Sequence, residues 1–111
     1  MNEPFYNTIL IPPRCRERFL GSSETGGKIL HRYGIDSGGI SKLIPPYTIG
    51  RTNPDFFVVL FCEGGSASFS TADADWKLTK GEMVILPPSQ PHLYKSSDHW
   101  NIVWFHLRST H

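Results

Sequence analysis

Apolar residues along this chain recur in short runs that alternate or cluster over four to eight positions, and turn-forming residues cut the runs apart. The runs are Lys28 to Tyr33, Gly39 to Ile44, Phe56 to Glu63, Ser66 to Thr71, Trp76 to Thr79, Met83 to Leu86, His92 to Ser96 and Trp100 to Leu107. Between them stand Asp36-Ser-Gly-Gly, Pro45-Pro46, Thr52-Asn-Pro-Asp, Gly64-Gly65, Asp73-Ala-Asp, Lys80-Gly81 and Pro87-Pro88, all residues that favour turns or interrupt strand pairing. No stretch keeps helical spacing for three turns, so the pattern predicts an all-β domain. Without helices long enough for parallel crossovers, the strands are expected to pair antiparallel, as in a jelly roll. Residues 1–27 read as an irregular N-terminal arm, and residues 28–111 as the β domain.

The final run, Trp100-Asn-Ile-Val-Trp-Phe-His-Leu107, is apolar on both faces: Trp100, Ile102, Trp104 and His106 on one, Val103, Phe105 and Leu107 with Asn101 on the other. A strand with one wet face alternates apolar and polar residues. One face is therefore expected to line the interior, and the other to seek cover from another element or a second subunit.

The 111 residues, 39% of them hydrophobic and 13% aromatic, suit one domain with its own core. Eleven Lys and Arg against ten Asp and Glu leave a formal charge of +1, which provides no diffuse positive field for nucleic acid. The longest apolar run, Phe56 to Cys62, is far shorter than the ~20 residues of a membrane span. The polar start Met1-Asn2-Glu3-Pro4 lacks signal-peptide character, so a cytoplasmic location is expected. Cys15 and Cys62 form no disulfide framework or zinc spacing and are expected to be reduced, with Cys62 in the core.

From Gly81 the chain runs Gly, five residues, Pro87, four residues, His92, three residues, Ser96. This spacing resembles the second motif of the cupin superfamily, with Ser89 and Ser96 where many cupins carry Gly and Asn. The resemblance implies a cupin-like double-stranded β-helix. It also implies a first motif upstream with two His and a Glu, where this chain instead has Arg51, Asn53 and Phe57. No two of its five His are spaced by two, three or four, so no metal and no cofactor are expected.

A narrower resemblance covers Lys28 to Leu107. Arg51 before an apolar strand ending in Glu63-Gly64, then Gly81 to Pro88, then Pro91-His-Leu-Tyr94, then Trp100 to Leu107 together resemble the N-terminal effector-binding domain of AraC-type transcription regulators. That family implies a barrel that binds a small effector, often a sugar, and forms a homodimer, while a C-terminal pair of helix-turn-helix units, absent here, binds DNA. It also implies ligand contact by Arg51, Tyr94 and Trp104; the His that arabinose-responsive members carry two residues before the Trp is Ile102 here.

The chemistry of such a site follows from the residue types. A guanidinium fork can donate two parallel hydrogen bonds to vicinal hydroxyls or a carboxylate, an indole packs on a sugar ring, and a phenol fixes one more group. Each residue also has a plainer role open to it: Trp104 as core, Tyr94 bonded to backbone, Arg51 paired with Asp55. His92 is expected at the pocket either as a polar contact or as the remnant of a lost metal site. His31 and Tyr33 are candidates only through strand alternation, and His99 and His106 are expected on opposite sides.

Other features carry less. Gly21 to Lys28 has the wrong spacing for a phosphate loop, Asp73 and Asp75 fit a hairpin turn, and Arg14, Arg16 and Arg18 with Glu17 read as a solvated arm. The expected function is effector sensing and dimerisation without catalysis, with Phe5, Ile9, Leu10 and Ile11 of the arm as a candidate lid. The alternatives are a stand-alone cupin enzyme of the sugar isomerase or epimerase kind with His92 as base, and a non-catalytic cupin whose cavity is filled by side chains.

Overall fold

A computed structural model describes residues 7–21 and 24–109. In chain order the elements are β1 (Thr8–Leu10), β2 (Arg16–Phe19), α1 (Glu24–Arg32), β3 (Ile35–Leu43), β4 (Thr48–Arg51), β5 (Phe56–Thr71), β6 (Asp75–Thr79), β7 (Met83–Leu86) and β8 (His92–Arg108). Every strand pairing is antiparallel.

The long strands β5 and β8 pair along nearly their whole length, from Phe56 opposite Arg108 to Thr71 opposite His92. Each takes part in two layers. The N-terminal half of β5 and C-terminal half of β8 lie in the order β2-β3-β8-β5-β7, and their other halves in the order β1-β4-β8-β5-β6. The register slips between Cys62 and Gly64 and again between Gly65 and Ala67. Such bulges bend a strand and raise its twist, which turns one sheet into two facing layers. The Gly64-Gly65 pair, expected to end a strand, thus acts inside one. Gly65 has φ +75°, and a Cβ there would run into the His99 carbonyl.

Between the layers the core is built from Trp100, Phe69, Leu60, Leu43, Cys62 and Ile102, all essentially inaccessible. Fully burying one Leu or Phe contributes about 1.5 to 3 kcal/mol. Phe69 stacks on Tyr94 at 5.1 Å and meets Trp100 edge-on at 5.8 Å, so the aromatic richness of the sequence is spent on joining the layers. Ser89, at a cupin glycine position, has the left-handed φ of 65° that such a position calls for.

Two stretches differ from the sequence pattern. The arm contributes β1 and β2, three and four residues long, which extend the two layers at their edges by pairing with β4 and β3. Residues Lys28 to Tyr33, expected as a strand, lie mostly in α1. Gly34 at φ +81° accepts the turn that ends it, its N–H donating to the His31 carbonyl. Gly26 and Gly27 inside the helix weaken its propensity signal, and nine residues are too few to show clear periodicity. Phe5 of the candidate lid lies outside the described residues.

The outer face of the β2-β3-β8-β5-β7 layer is apolar. Cross-strand rows run Ile40, Val103, Phe61, Met83 and Phe105, Val59, Ile85. Met83 and Ile85 remain more than half exposed. Among the described residues, no helix is long and apolar enough to cross a membrane.

Gly65→Ala is expected to lower stability in urea unfolding by more than about 3 kcal/mol, because the left-handed backbone and a backbone clash coincide. Gly81→Ala, with φ +90° but open space around it, is expected to cost only about 1–2 kcal/mol.

Candidate functional site

A cavity of about 300 Å³ opens between the layers, toward the edge strands β1 and β2. Its walls come from rows set by the sheet register. Phe19, Gly39, Trp104 and Leu60 are mutual cross-strand partners in one layer; Ile9, Ile49, Tyr94 and Phe69 are in the other. Directly paired residues share a face, so the layers present Trp104 and Tyr94 to the same space. Arg51, the last residue of β4, enters this space beside Tyr94, and Tyr47, Glu17 and His106 add to its polar lining.

Arg51 is held by neutral groups. Its Nη1 donates to the Tyr94 hydroxyl at 3.1 Å and lies 3.0 Å from His92 Nε2. Since a guanidinium has no acceptor, His92 Nε2 must accept, and the proton of the neutral ring sits on Nδ1. The Arg51 carbon stands 5.3 Å from the Phe56 ring centre and 5.8 Å from that of Tyr94, two cation–π contacts. The alternative surface pairing with Asp55 is not formed: no carboxylate among the described residues lies within ion-pair distance of Arg51.

Trp104 is fixed on three sides. Its indole N–H donates to Ser41 Oγ at 2.8 Å, Phe19 meets it edge-on at 5.8 Å, and His106 lies 4.9 Å away. Gly39 leaves the room: a Cβ there would stand 2.7 Å from the indole ring. With its N–H satisfied and its ring half-buried, Trp104 has a defined orientation at the cavity wall.

His92 is fully buried, does not line the cavity, and braces Arg51 from behind. His31 is far from this role. It stands on α1, exposed, with Nδ1 2.8 Å from Arg108 Nη1, and the Arg108 side chain also caps its carbonyl at 2.7 Å. The strand alternation that made it a candidate does not exist in a helix. Tyr33 is exposed as well. His106 lines the cavity while His99 is exposed beside Asp98, so the two histidines have separate surroundings. Among the lining groups that the sequence pattern does not bring to the site are Tyr47, delivered by the turn its N–H closes to the Ile44 carbonyl at 3.0 Å, and Glu17 and Phe19 of β2. Alternation along Arg16–Phe19 was the available signal, hidden by the arginines around it.

Burial, and then the charge of Arg51, push both His92 and His106 down to about 4; the Gln90 backbone opposes this at His92, and Asp36 at His106. Burial raises Tyr94 against the pull of Arg51, and burial with the neighbouring Tyr94 raises Tyr47. At neutral pH the cavity wall therefore presents one neutral imidazole, that of His106, and the phenols of Tyr47 and Tyr94 beside Arg51 and Glu17, while the neutral ring of His92 stands behind Arg51. Among the described residues, no group of three or more His, Cys, Asp and Glu is placed to hold a metal ion.

The depressed histidines predict a pH dependence. Unfolded His titrates near 6.5, so the unfolded chain takes up protons first as pH falls. Their stabilising contribution is complete above about 6.5 and is lost as pH drops toward about 4. The urea midpoint should fall across that window, and His92→Gln with His106→Gln should flatten the fall.

The chain's residues 28–110 match the family model described as the AraC-like ligand binding domain. No curated protein shows significant sequence similarity to it. Among solved structures it resembles a predicted oxalate decarboxylase from Thermotoga maritima, with a TM-score of 0.71 at 12% identity over 95% of this chain and 94% of that one. A cupin superfamily protein from Desulfitobacterium hafniense gives 0.69 at 9% identity, covering 90% and 83% of the two chains. A cupin 2 conserved barrel domain protein from Salinispora arenicola gives 0.68 at 14%, covering 92% and 82%. At such identities these likenesses establish the cupin fold alone. The family match extends over most of the chain, including the strands that carry Arg51, Tyr94 and Trp104, and this chain belongs to the AraC-like ligand-binding domain family.

Proposed function

We propose that this chain is the effector-sensing domain of a cytoplasmic bacterial transcription regulator, that its effector is a sugar or sugar-like molecule, and that it binds this effector without transforming it. The observation that carries the reading is the convergence of Arg51, Tyr94 and Trp104 on one monosaccharide-sized cavity. A ring stacked on the indole brings its hydroxyls within reach of a guanidinium and carboxylate on polar sides of the space. DNA contact belongs to a separate helix-turn-helix unit. Because Ile9, Ile11, Glu17 and Phe19 line the same cavity, an effector bound there touches the N-terminal segment directly and favours one arrangement of it. A differential affinity of about 1 to 3 kcal/mol suffices for such a switch.

The enzyme alternative requires His92 as a base facing substrate. Its Nε2 already accepts from Arg51 and the ring does not line the cavity, which favours binding over catalysis. The apolar outer face around Phe61, Met83 and Ile85 is the proposed homodimer surface, since exposed apolar patches of this kind mark association sites.

In a thermal-shift panel of pentoses, hexoses and sugar acids, a ligand at 100 times its Kd should stabilise the domain by about 2.7 kcal/mol. Arg51→Ala and Trp104→Ala should each remove that stabilisation; hits that survive both substitutions place the site elsewhere. Phe61→Glu or Ile85→Lys should convert a dimer to monomer in sedimentation, and an unchanged sedimentation coefficient rules this face out as the interface.

A further inference from the structure

Among the described residues, the cation in the cavity has no counter-ion. All the hydrogen bonds that Arg51 makes to the described protein come from Nη1, and both partners, His92 Nε2 and Tyr94 Oη, are neutral acceptors. Among the described residues, Nη2 and Nε donate to no protein group, and the guanidinium also lies against the aromatic faces of Phe56 and Tyr94. A half-buried guanidinium with unused donors, in a cavity walled by Ile49, Leu60, Ile102 and Trp104, has surrendered much of its hydration without gaining an anion.

Glu17 does not supply the anion. It lines the cavity from the edge strand β2, paired opposite Ser41, but is beyond ion-pair distance of Arg51. Its acceptors suit hydroxyl donors, whereas the free edge of Arg51 suits a planar, two-oxygen acceptor. Trp104 beside them asks for a flat, ring-shaped apolar surface.

Resting on the sugar-binding reading above, we infer that the effector is a cyclic sugar acid of the uronate kind, its carboxylate held by Arg51, its ring packed on Trp104 and its hydroxyls donating to Glu17. The carboxylate supplies the missing counter-ion. His92 and His106, the other basic side chains around Arg51, are kept neutral by burial first and by that guanidinium second, so the charge of Arg51 is the one cation that the described cavity wall offers a ligand.

Matched pairs that differ only in oxidation at C6 test this: D-galactose against D-galacturonate and D-glucose against D-glucuronate, titrated calorimetrically into the full chain at pH 7.5. At least one uronate should bind ten times or more tightly than its neutral partner. Arg51→Gln should abolish that preference, and Arg51→Lys, which keeps the charge and loses the fork, should retain part of it; both variants are first checked for an unchanged circular dichroism spectrum and unfolding transition. If a neutral hexose binds as well as or better than its acid, the inference falls while the sugar-binding reading stands. A uronate preference that survives Arg51→Gln overturns the assignment of the carboxylate to Arg51. Should neither member of either pair bind, the sugar acid and the sugar-binding reading fall together.

Discussion

The antiparallel pairing of β5 with β8 is the constraint on which the remaining architecture depends. Two strands of sixteen and seventeen residues pair in the middle of both layers, so the layers share one hydrogen-bonded spine. The bulges around Gly64 and Gly65 decide where that spine bends. Upstream of the bend on β8 lies Tyr94, downstream lie Trp104 and His106, and the fold over brings them to opposite walls of one cavity. A sheet without the slips would place Tyr94 and Trp104 ten residues apart along a strand, at roughly 33 Å, too far for one small molecule to touch both.

The polar side of the cavity is organised by a short chain of neutral contacts. His92, buried and neutral, accepts from Arg51, which donates in turn to Tyr94. A neutral imidazole is what permits this, since a protonated ring would repel the guanidinium and offer no lone pair. The geometry of the Arg51 guanidinium and the protonation of the buried His92 are thereby one property. Conditions that charge His92 act on the orientation of Arg51 as well as on stability.

Much of this was legible in the sequence because it depends on local signals. The Gly81 to His92 spacing and the two-faced strand from Trp100 identified the barrel, and Arg51, Tyr94 and Trp104 do share a cavity. What sequence reasoning lost was long-range. Glu17 and Phe19 reach the cavity only because β2 pairs with β3, a contact between residues twenty or more positions apart that no local pattern encodes. His31 was misplaced for the opposite reason: a nine-residue helix interrupted by Gly26 and Gly27 is too short for its period to compete with the strand-like Ile29-Leu30. His92 illustrates a third case, in which the residue stands next to the site but its ring faces Arg51 rather than the open space.

Gly39 makes one further point about how such a cavity can change. It never touches the interior void, yet the indole of Trp104 occupies the place where its side chain would be. Any larger residue there must displace the ring toward the hollow, shrinking the room for a guest and tilting the surface it rests on. Selectivity among guests of different girth can thus drift through a position on the neighbouring strand, with every residue that meets the guest left as it was.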